Sequence, residues 1–415
     1  MRTYREVFAV GEFRALFGGH VIAAASMTIQ SLAFSVLIYG RTASPLLAAV
    51  AFLAGSLPQA AGALTLSGFG DGVAPRTVLV ASDAVRAAAF ILLASGLLGT
   101  AAMLAIAMLL GVASGALGGV RYALVTRVLS VEDYALGRSM LNVAVGAMQV
   151  VGYAIGGGLI LAVGTRSALW LAVALAIAVG MIDRWGLLAR PALASGSVSM
   201  RATWRRNRAL FGESAVRRLL LAQWIPNGLI VGAEALFVPY AGAHAAWLFA
   251  AAGAGMLVGD VIVGRWVTSD TRARLTRPLY VLLAAPYLAF AVHPSLLVAV
   301  GVVGLASIGY GGTLGLQQRL VEALPEASLA QAFALASAGM LSAQGIAAYL
   351  IGSVAQAVGA PIAMSMAGVA SLLATAALLT HRGDERSAAA TGPERHRAGR
   401  LSVATPCSAA DRRSS

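Results

Sequence analysis

The feature that most constrains this chain is a series of twelve long apolar stretches. A membrane-spanning helix needs about 20 apolar residues, because the hydrocarbon core is about 30 Å thick and a helix rises about 1.5 Å per residue. Helices are expected, since open strands leave backbone groups unpaired in lipid and barrel strands alternate over about 10 residues. The predicted spans, numbered 1 to 12, are 14–39, 45–69, 75–98, 100–124, 137–163, 166–188, 216–241, 245–267, 276–293, 295–318, 328–357 and 360–380.

The composition agrees with lipid as the main solvent. Hydrophobic residues make up 59% of the chain and charged residues only 11%, whereas soluble domains carry roughly 25% charged residues. All 30 basic residues are arginine, which excludes a lysine-based phosphate loop and a Schiff-base enzyme. The single cysteine, Cys407, excludes a disulfide framework and a metal site built on several cysteines. We expect no metal and no cofactor.

The arginines are distributed unevenly around the predicted spans. Of the 30, 26 fall on one side, Arg41 and Arg166 fall on the other, and Arg86 and Arg121 lie within helices. The positive-inside rule then predicts a multi-pass protein of the bacterial plasma membrane with both termini in the cytoplasm. The net charge of +13 therefore reflects the membrane topology, and the expected partner of the protein is the lipid bilayer. Nucleic-acid binding is not expected.

The spans divide six and six around a polar stretch, and short sequences recur in order in the two halves. Ala162-Val-Gly164 at the end of span 5, for example, matches Ala357-Val-Gly359 at the end of span 11. Such echoes are typical of a duplicated six-helix unit. The predicted regions are an N-terminal bundle, a basic cytoplasmic linker, a C-terminal bundle and a disordered cytoplasmic tail, at 1–188, 189–215, 216–380 and 381–415.

The loop after span 2 reads Gly68-Phe-Gly-Asp71-Gly-Val-Ala-Pro-Arg76. It is similar to the glycine–aspartate–arginine loop between helices 2 and 3 of the major facilitator superfamily of secondary transporters, with Gly72 and Ala74 replacing an arginine and a glycine of the pattern. The six-plus-six arrangement around a basic linker resembles the same superfamily. The resemblance implies an all-α integral membrane fold, with twelve transmembrane helices in two six-helix bundles, and a monomer.

Span 5 is rich in glycine. Gly146, Gly152, Gly156 and Gly157 resemble the helix-5 motif of the drug exporters in that superfamily, although Tyr153 stands where the family has proline. Glycines at 152 and 156 also predict a small-residue face that lets another helix approach closely. The resemblance extends to drug or metabolite exporters of high-GC bacteria and implies efflux.

Charges inside the predicted spans need an explanation, because a charged side chain at the helix centre costs about 2.5–3.5 kcal/mol. Glu234 lies roughly 22–27 Å along span 7, with no adjacent arginine. A desolvated carboxyl there is a candidate for proton coupling, and a structural hydrogen-bonded carboxyl is the alternative. Asp83 in span 3 and Asp260 in span 8 are further coupling candidates, with Arg265 as a possible partner of Asp260.

Asp83 and Arg86 are three residues apart and share a helix face. Arg121, near the cytoplasmic end of span 4, is a candidate partner of Asp83 or of Asp71, for which the resemblance implies a role in gating. A static ion pair that only fixes the packing is the alternative. The predicted gating cluster comprises Gly68, Asp71, Arg76, Arg86 and Arg121.

Neutral polar residues supply the candidate substrate contacts. Gln30, Gln149 and Gln344 lie in spans 1, 5 and 11, helices that the resemblance implies line the central cavity. His20 in span 1 is either a proton relay or a satisfied structural residue.

The function predicted first is proton-coupled efflux of a small amphipathic or drug-like compound by alternating access. An importer or uniporter of a specific small metabolite is the alternative, since the fold does not decide direction or substrate. A membrane-embedded enzyme or a scaffold is a remote alternative. The sequence contains no H-E-x-x-H, C-x-x-C or G-x-S-x-G motif, so no catalytic residues are predicted.

Overall fold

The computed structural model describes residues 4–66, 73–192 and 200–379, and the regular elements of these residues are all helical. Short 3₁₀ segments cover 242–244, 285–292 and 309–312. The α-helices are α1 Tyr4–Ala9, α2 Gly11–Thr42, α3 Pro45–Phe52, α4 Ser56–Leu66, α5 Pro75–Ser95, α6 Thr100–Val128, α7 Val131–Val163, α8 Thr165–Gly186, α9 Met200–Gly212, α10 Ser214–Glu234, α11 Phe237–Ala241, α12 Ala245–Arg265, α13 Ser269–Ala284, α14 Leu296–Ile308, α15 Thr313–Ala323, α16 Glu326–Val358 and α17 Ala360–Leu379.

Eleven helical stretches in the described residues are long and apolar enough to cross a membrane. One of them, Ser214–Arg265, has 52 residues and would be about 78 Å long if it were straight. It is not straight, because α11 ends at a turn in which Gly242 has a φ of 57°. The predicted spans 7 and 8 lie on either side of this turn. The all-α membrane fold predicted from the sequence is therefore confirmed, with a helix count close to twelve.

Four predicted spans are interrupted rather than continuous. Span 7 divides into α10 and α11. Span 2 divides into α3 and α4, span 9 continues from α13 into the 3₁₀ segment at 285–292, and span 10 contains the 3₁₀ segment at 309–312. Pro286 lies at the start of the first 3₁₀ segment and removes a backbone donor there. Gly309 lies so close to α13 that a Cβ atom would come within 2.3 Å of the Leu279 carbonyl oxygen. The hydropathy pattern does not predict these breaks, because the apolar stretches continue across them.

The same pattern of helix packing occurs twice along the chain. In the first half, α2 packs on α7 and α8, α4 packs on α6, and α5 packs on α8. In the second half, α10 packs on α16 and α17, α12 packs on α14, and the segment 285–292 packs on α17. The order of the partners is the same in both halves, as expected for two six-helix bundles.

The two halves meet mainly through α7 with α12 and through α16 with α3 and α4. We call the end of the molecule with α1, α9 and the last residues of α8 the terminal end, and the opposite end the distal end. At the distal end, the Gln356 side-chain amide donates a hydrogen bond to the Ser44 hydroxyl at 2.6 Å. A Cβ atom on Gly352 would lie 3.0 Å from the Leu46 Cα atom. The distal ends of the halves are thus packed together.

The predicted linker 189–215 contains a helix, α9, among its described residues. Its first residues are held on the first half, because Arg190 pairs with Glu12, and Arg127 donates to the Pro191 carbonyl oxygen at 3.0 Å. Asn207 and Leu210 of α9 are buried, whereas its arginines and Trp204 are exposed. The predicted disordered tail, 381–415, lies outside the described residues.

Candidate functional site

A cavity of about 640 Å³ lies between the two halves. The first half contributes side chains from α2, α3, α4 and α7, and the second half contributes side chains from α10, α12 and α16. Glu234, Asp260, Gln149, Gln344 and Gly146 line it, so five of the predicted site residues share one space. Gln30 instead lines a smaller neighbouring cavity of about 160 Å³.

Glu234 is the last residue of α10, and its side chain reaches the cavity between the halves. α10 approaches α16 closely at Gly232, where a Cβ atom would lie 2.9 Å from the backbone carbonyl carbon of Ala347. The hydroxyl of Tyr287 donates a long hydrogen bond of 3.4 Å to Glu234 Oε1. Tyr287 itself is fully buried. Among the residues that the structure describes, the carboxyl thus has one weak donor, and it otherwise faces the cavity.

Asp260 reaches the same cavity from α12, beside Tyr310. The pairing with Arg265 that the sequence left open does not form: Asp260 takes part in none of the ion pairs of the described residues, and Arg265 is exposed. The reason is helical geometry, because residues five positions apart lie about 140° apart around a helix. No arginine or histidine is among the residues that line this cavity.

A second group of charges lies inside the first half. Asp83 and Arg86 form an ion pair at 2.9 Å on α5, and Arg121 of α6 lies 4.0 Å from Asp83. The main partner of Arg121 is Asp183 of α8, which pairs with it directly and is fully buried. The predicted pairing of Arg121 with Asp83 is thus present at 4.0 Å, with Asp183 as the nearer partner, and Asp71 lies outside the described residues. The four residues Asp83, Arg86, Arg121 and Asp183 are called the buried charge cluster below.

Asp183 was missed by the sequence analysis. It lies near the end of predicted span 6, next to Arg184 and Trp185. In the sequence, these residues are typical of the polar residues with which a membrane-spanning helix ends. The position of Asp183 inside an apolar span was the available signal. The absence of a side chain at Gly19 makes room for the ion pair, since a Cβ atom there would lie 2.8 Å from Asp183 Oδ1 and 3.0 Å from Arg121 Nη1.

The remaining members of the predicted gating cluster are placed differently. Gly68 and Asp71 lie outside the described residues. Arg76, at the start of α5, donates to the carbonyl oxygen of Leu187 at 3.3 Å and so ties α5 to the end of α8. Arg86 and Arg121 belong to the buried charge cluster.

A third cavity, of about 650 Å³, borders the buried charge cluster and extends to His20 and Tyr122. The rings of His20 and Tyr122 pack edge to face with centroids 5.7 Å apart, and His20 Nε2 is buried without a hydrogen-bond partner. Met27 lines all three cavities, and Gln149 lines the two larger ones. The cavities are therefore neighbours that share walls.

The glycines of α7 have distinct surroundings. Gly152 and Gly156 face α2, where their Cβ atoms would lie 2.9 Å from Thr28 Cβ and 3.4 Å from Ile29 Cα. Gly157 faces the other half, where a Cβ atom would lie 1.9 Å from the Cβ of Ala246. Gly146 lines the cavity between the halves and has nothing within 4 Å of its Cβ position.

Aromatic rings from both halves stack on the distal side of this cavity. Phe52 and Phe249 have ring centroids 4.4 Å apart, and Tyr153 and Phe249 have centroids 4.8 Å apart. Tyr153 is the residue at which the sequence departs from the exporter motif that it resembles. In the part of the chain that the structure describes, no three His, Cys, Asp or Glu side chains are grouped to hold a metal ion.

Solved structures with a similar fold are transporters. A POT family transporter in complex with 5-aminolevulinic acid matches with a TM-score of 0.71 and 10% identity, over 88% of this chain and 95% of that chain. The human organic anion transporter MFSD10 (TETRAN) matches with a TM-score of 0.59 and 18% identity, over 91% of this chain and 100% of that chain. At these identities, the likeness shows the fold.

No curated protein sequence matches the chain. The sequence model of the Major Facilitator Superfamily matches residues 16–245, which is more than half of the 415 residues. Together with the helical fold, this match shows a membrane transporter rather than an enzyme. The chain belongs to the Major Facilitator Superfamily.

Proposed function

We propose that the protein is a proton-coupled exporter of a small amphipathic or drug-like compound. Its bundles, 1–188 and 216–380, alternate access to the cavity between them, and the stretch 189–215 joins them. The resemblance to the superfamily implies a monomer. The sided distribution of arginine supports a place in the bacterial plasma membrane with cytoplasmic termini. The terminal end of the molecule then faces the cytoplasm, which is the side from which an exporter takes its substrate.

The observation that carries the proposal is the position of Glu234. Its carboxyl faces a cavity between the halves and accepts one long hydrogen bond from Tyr287, and the described residues that line this cavity include no basic side chain. A carboxyl in such a place binds a proton readily and releases it when the pathway becomes wet. Asp260 also faces this cavity and takes part in none of the ion pairs of the described residues. Asp83 is the weaker coupling candidate, because it is already paired with Arg86.

The glycine motif of α7 supports the direction of transport through its resemblance to exporters. Gly157 lets α7 and the start of α12 pack closely at the distal end, where alternating access requires the halves to separate. We propose that the buried charge cluster, with Arg76, holds the first half in shape during this movement.

Transport in proteoliposomes tests the proposal. The purified full chain is reconstituted, a pH gradient is imposed, and uptake of cationic, neutral and anionic amphipathic dyes is followed together with the internal pH. We expect dye movement against a proton flow in wild type, and loss of both in Glu234→Gln. Glu213→Gln, at an exposed carboxyl beside α10, is the matched control and retains wild-type flux.

Each other outcome changes the assignment. Coupled flux that survives Glu234→Gln but not Asp260→Asn transfers the coupling role to Asp260. Dye and protons moving in the same direction would make the protein an importer. The absence of any gradient-driven dye flux would overturn drug efflux and favour a carrier of a specific small metabolite.

A further inference from the structure

The wall that the second half contributes to the cavity is acidic and uncompensated. Glu234 comes from α10 and Asp260 from α12, and the titratable groups facing them are the phenols of Tyr153, Tyr287 and Tyr310. α16 adds the neutral Gln344. In contrast, the carboxylates of the buried charge cluster in the first half have guanidinium partners. Among the described carboxylates of the twelve predicted spans, those without a guanidinium partner therefore line the cavity.

An ionised carboxylate in a low-dielectric site is costly unless a positive charge accompanies it. The hydroxyl of Tyr287, 3.4 Å away, is too distant to offset that cost alone. Two neutralising partners are available to a transporter, namely a proton and a cationic ligand. A site that accepts either one binds the ligand and the proton in competition.

The other walls of the cavity are suited to an organic cation rather than to a metal ion. Phe249 stacks on Phe52 and on Tyr153, with ring centroids 4.4 and 4.8 Å apart, and ring faces attract both aryl groups and positive charge. Met27 and Met256 add flexible thioethers. The volume of about 640 Å³ is in the range of about 300–1,000 Å³ that holds drug-sized ligands.

We propose that the substrate is a monovalent organic cation carrying aryl groups, held by the carboxylates of Glu234 and Asp260 beneath the rings of Phe52, Tyr153 and Phe249. This assignment rests on the proposed export function and names its substrate class. Binding one such cation displaces one of the protons that otherwise neutralise the two carboxyls.

Equilibrium binding without any gradient tests the assignment. The purified full chain in detergent is dialysed against tetraphenylphosphonium and against tetraphenylborate, which have the same shape and opposite charge, with protein-free micelles as the blank. We expect the cation to bind at least about tenfold more tightly than the anion, and Glu234→Gln and Asp260→Asn each to weaken cation binding by about tenfold. Glu213→Gln retains wild-type binding.

A second measurement needs no variant. Adding tetraphenylphosphonium to the wild-type protein in weakly buffered solution should release protons, and lowering the pH should weaken its binding. Equal binding of the two ions would overturn the assignment. Cation binding that releases no protons and has the same affinity in both variants as in wild type would also overturn it. Because no gradient is used, such a result would not contradict the proposed export function. Conversely, selective cation binding without gradient-driven dye flux would contradict export and support the substrate class.

Discussion

At the level of single residues, the buried charge cluster determines how the first half is held together. Arg121 contacts Asp183 of α8, lies 4.0 Å from Asp83 of α5, and donates to the Leu16 carbonyl oxygen of α2 at 3.3 Å. One guanidinium therefore joins four helices. A buried ion pair is costly to form, but breaking it leaves an unpaired charge, which is worse.

Asp183→Asn is expected to lower the free energy of unfolding by about 3–5 kcal/mol, because Arg121 is left buried without its main counter-charge. The check is the midpoint of thermal unfolding of the purified protein in detergent. Asp270→Asn, at an exposed carboxyl in the first turn of α13, is the control and should cost less than about 1 kcal/mol. An unchanged midpoint for Asp183→Asn would contradict the assigned role of the pair.

Gly19→Ala is expected to destabilise the protein by about 1–3 kcal/mol, since the added methyl group would enter the space between Asp183 and Arg121. Gly18→Ala is a matched control on the same helix, because nothing lies within 4 Å of its Cβ position. That control should be neutral or slightly stabilising, as alanine favours helix over glycine. Equal thermal midpoints for the two variants would refute the close-packing argument.

At the level of helices, glycine sets how closely the halves approach. Gly157 on α7 meets Ala246 on α12, and Gly352 on α16 meets Leu46 on α3. Both contacts lie at the distal end and join different halves. Small residues at such positions let backbones come together in lipid, where van der Waals contact is the main attraction between helices.

Gly157→Val should loosen the distal packing, because even a methyl group would overlap Ala246. We expect more frequent opening of the distal end, seen as faster labelling of a cysteine placed at Ser44 in a Cys407→Ser background. Gly158→Val is the control, since its Cβ position is open. Labelling at the same rate in both variants would show that this contact does not hold the distal end closed.

The helices could be predicted from the sequence more completely than the site. Hydropathy located the spans because lipid imposes one length and one composition on each of them. It missed the breaks at 285–292 and 309–312, which depend on Pro286 and on close contacts of glycine with neighbouring helices. It also missed Asp183 and the Tyr287 hydrogen bond to Glu234, because both are contacts between residues far apart in the chain.

At the level of the whole molecule, the two halves are packed together at the distal end, and the cavities lie between this contact and the terminal end. Ser44 and Gln356 are hydrogen-bonded across the halves, and the rings of Phe52, Tyr153 and Phe249 lie between this contact and the terminal end. Alternating access requires this end to open.

Joining Ser44→Cys and Gln356→Cys with a short thiol crosslinker, in a Cys407→Ser background, should abolish turnover and leave ligand binding intact. The side chains involved are 2.6 Å apart, so the link holds the halves as they are. Flux in proteoliposomes before and after crosslinking is the measurement, and each single cysteine is the control. Undiminished flux in the crosslinked protein would show that transport does not need the distal end to separate.

The division of charge between the halves has an evolutionary consequence. The first half uses its buried ions to bind its own helices together, whereas the second half leaves Glu234 and Asp260 facing the cavity. After a duplication, two copies with the same packing can accumulate changes under different selection. Substitutions around Glu234 and Asp260 can then alter what is carried while the copy held by Arg121 keeps its shape, so new specificities can arise without loss of the fold.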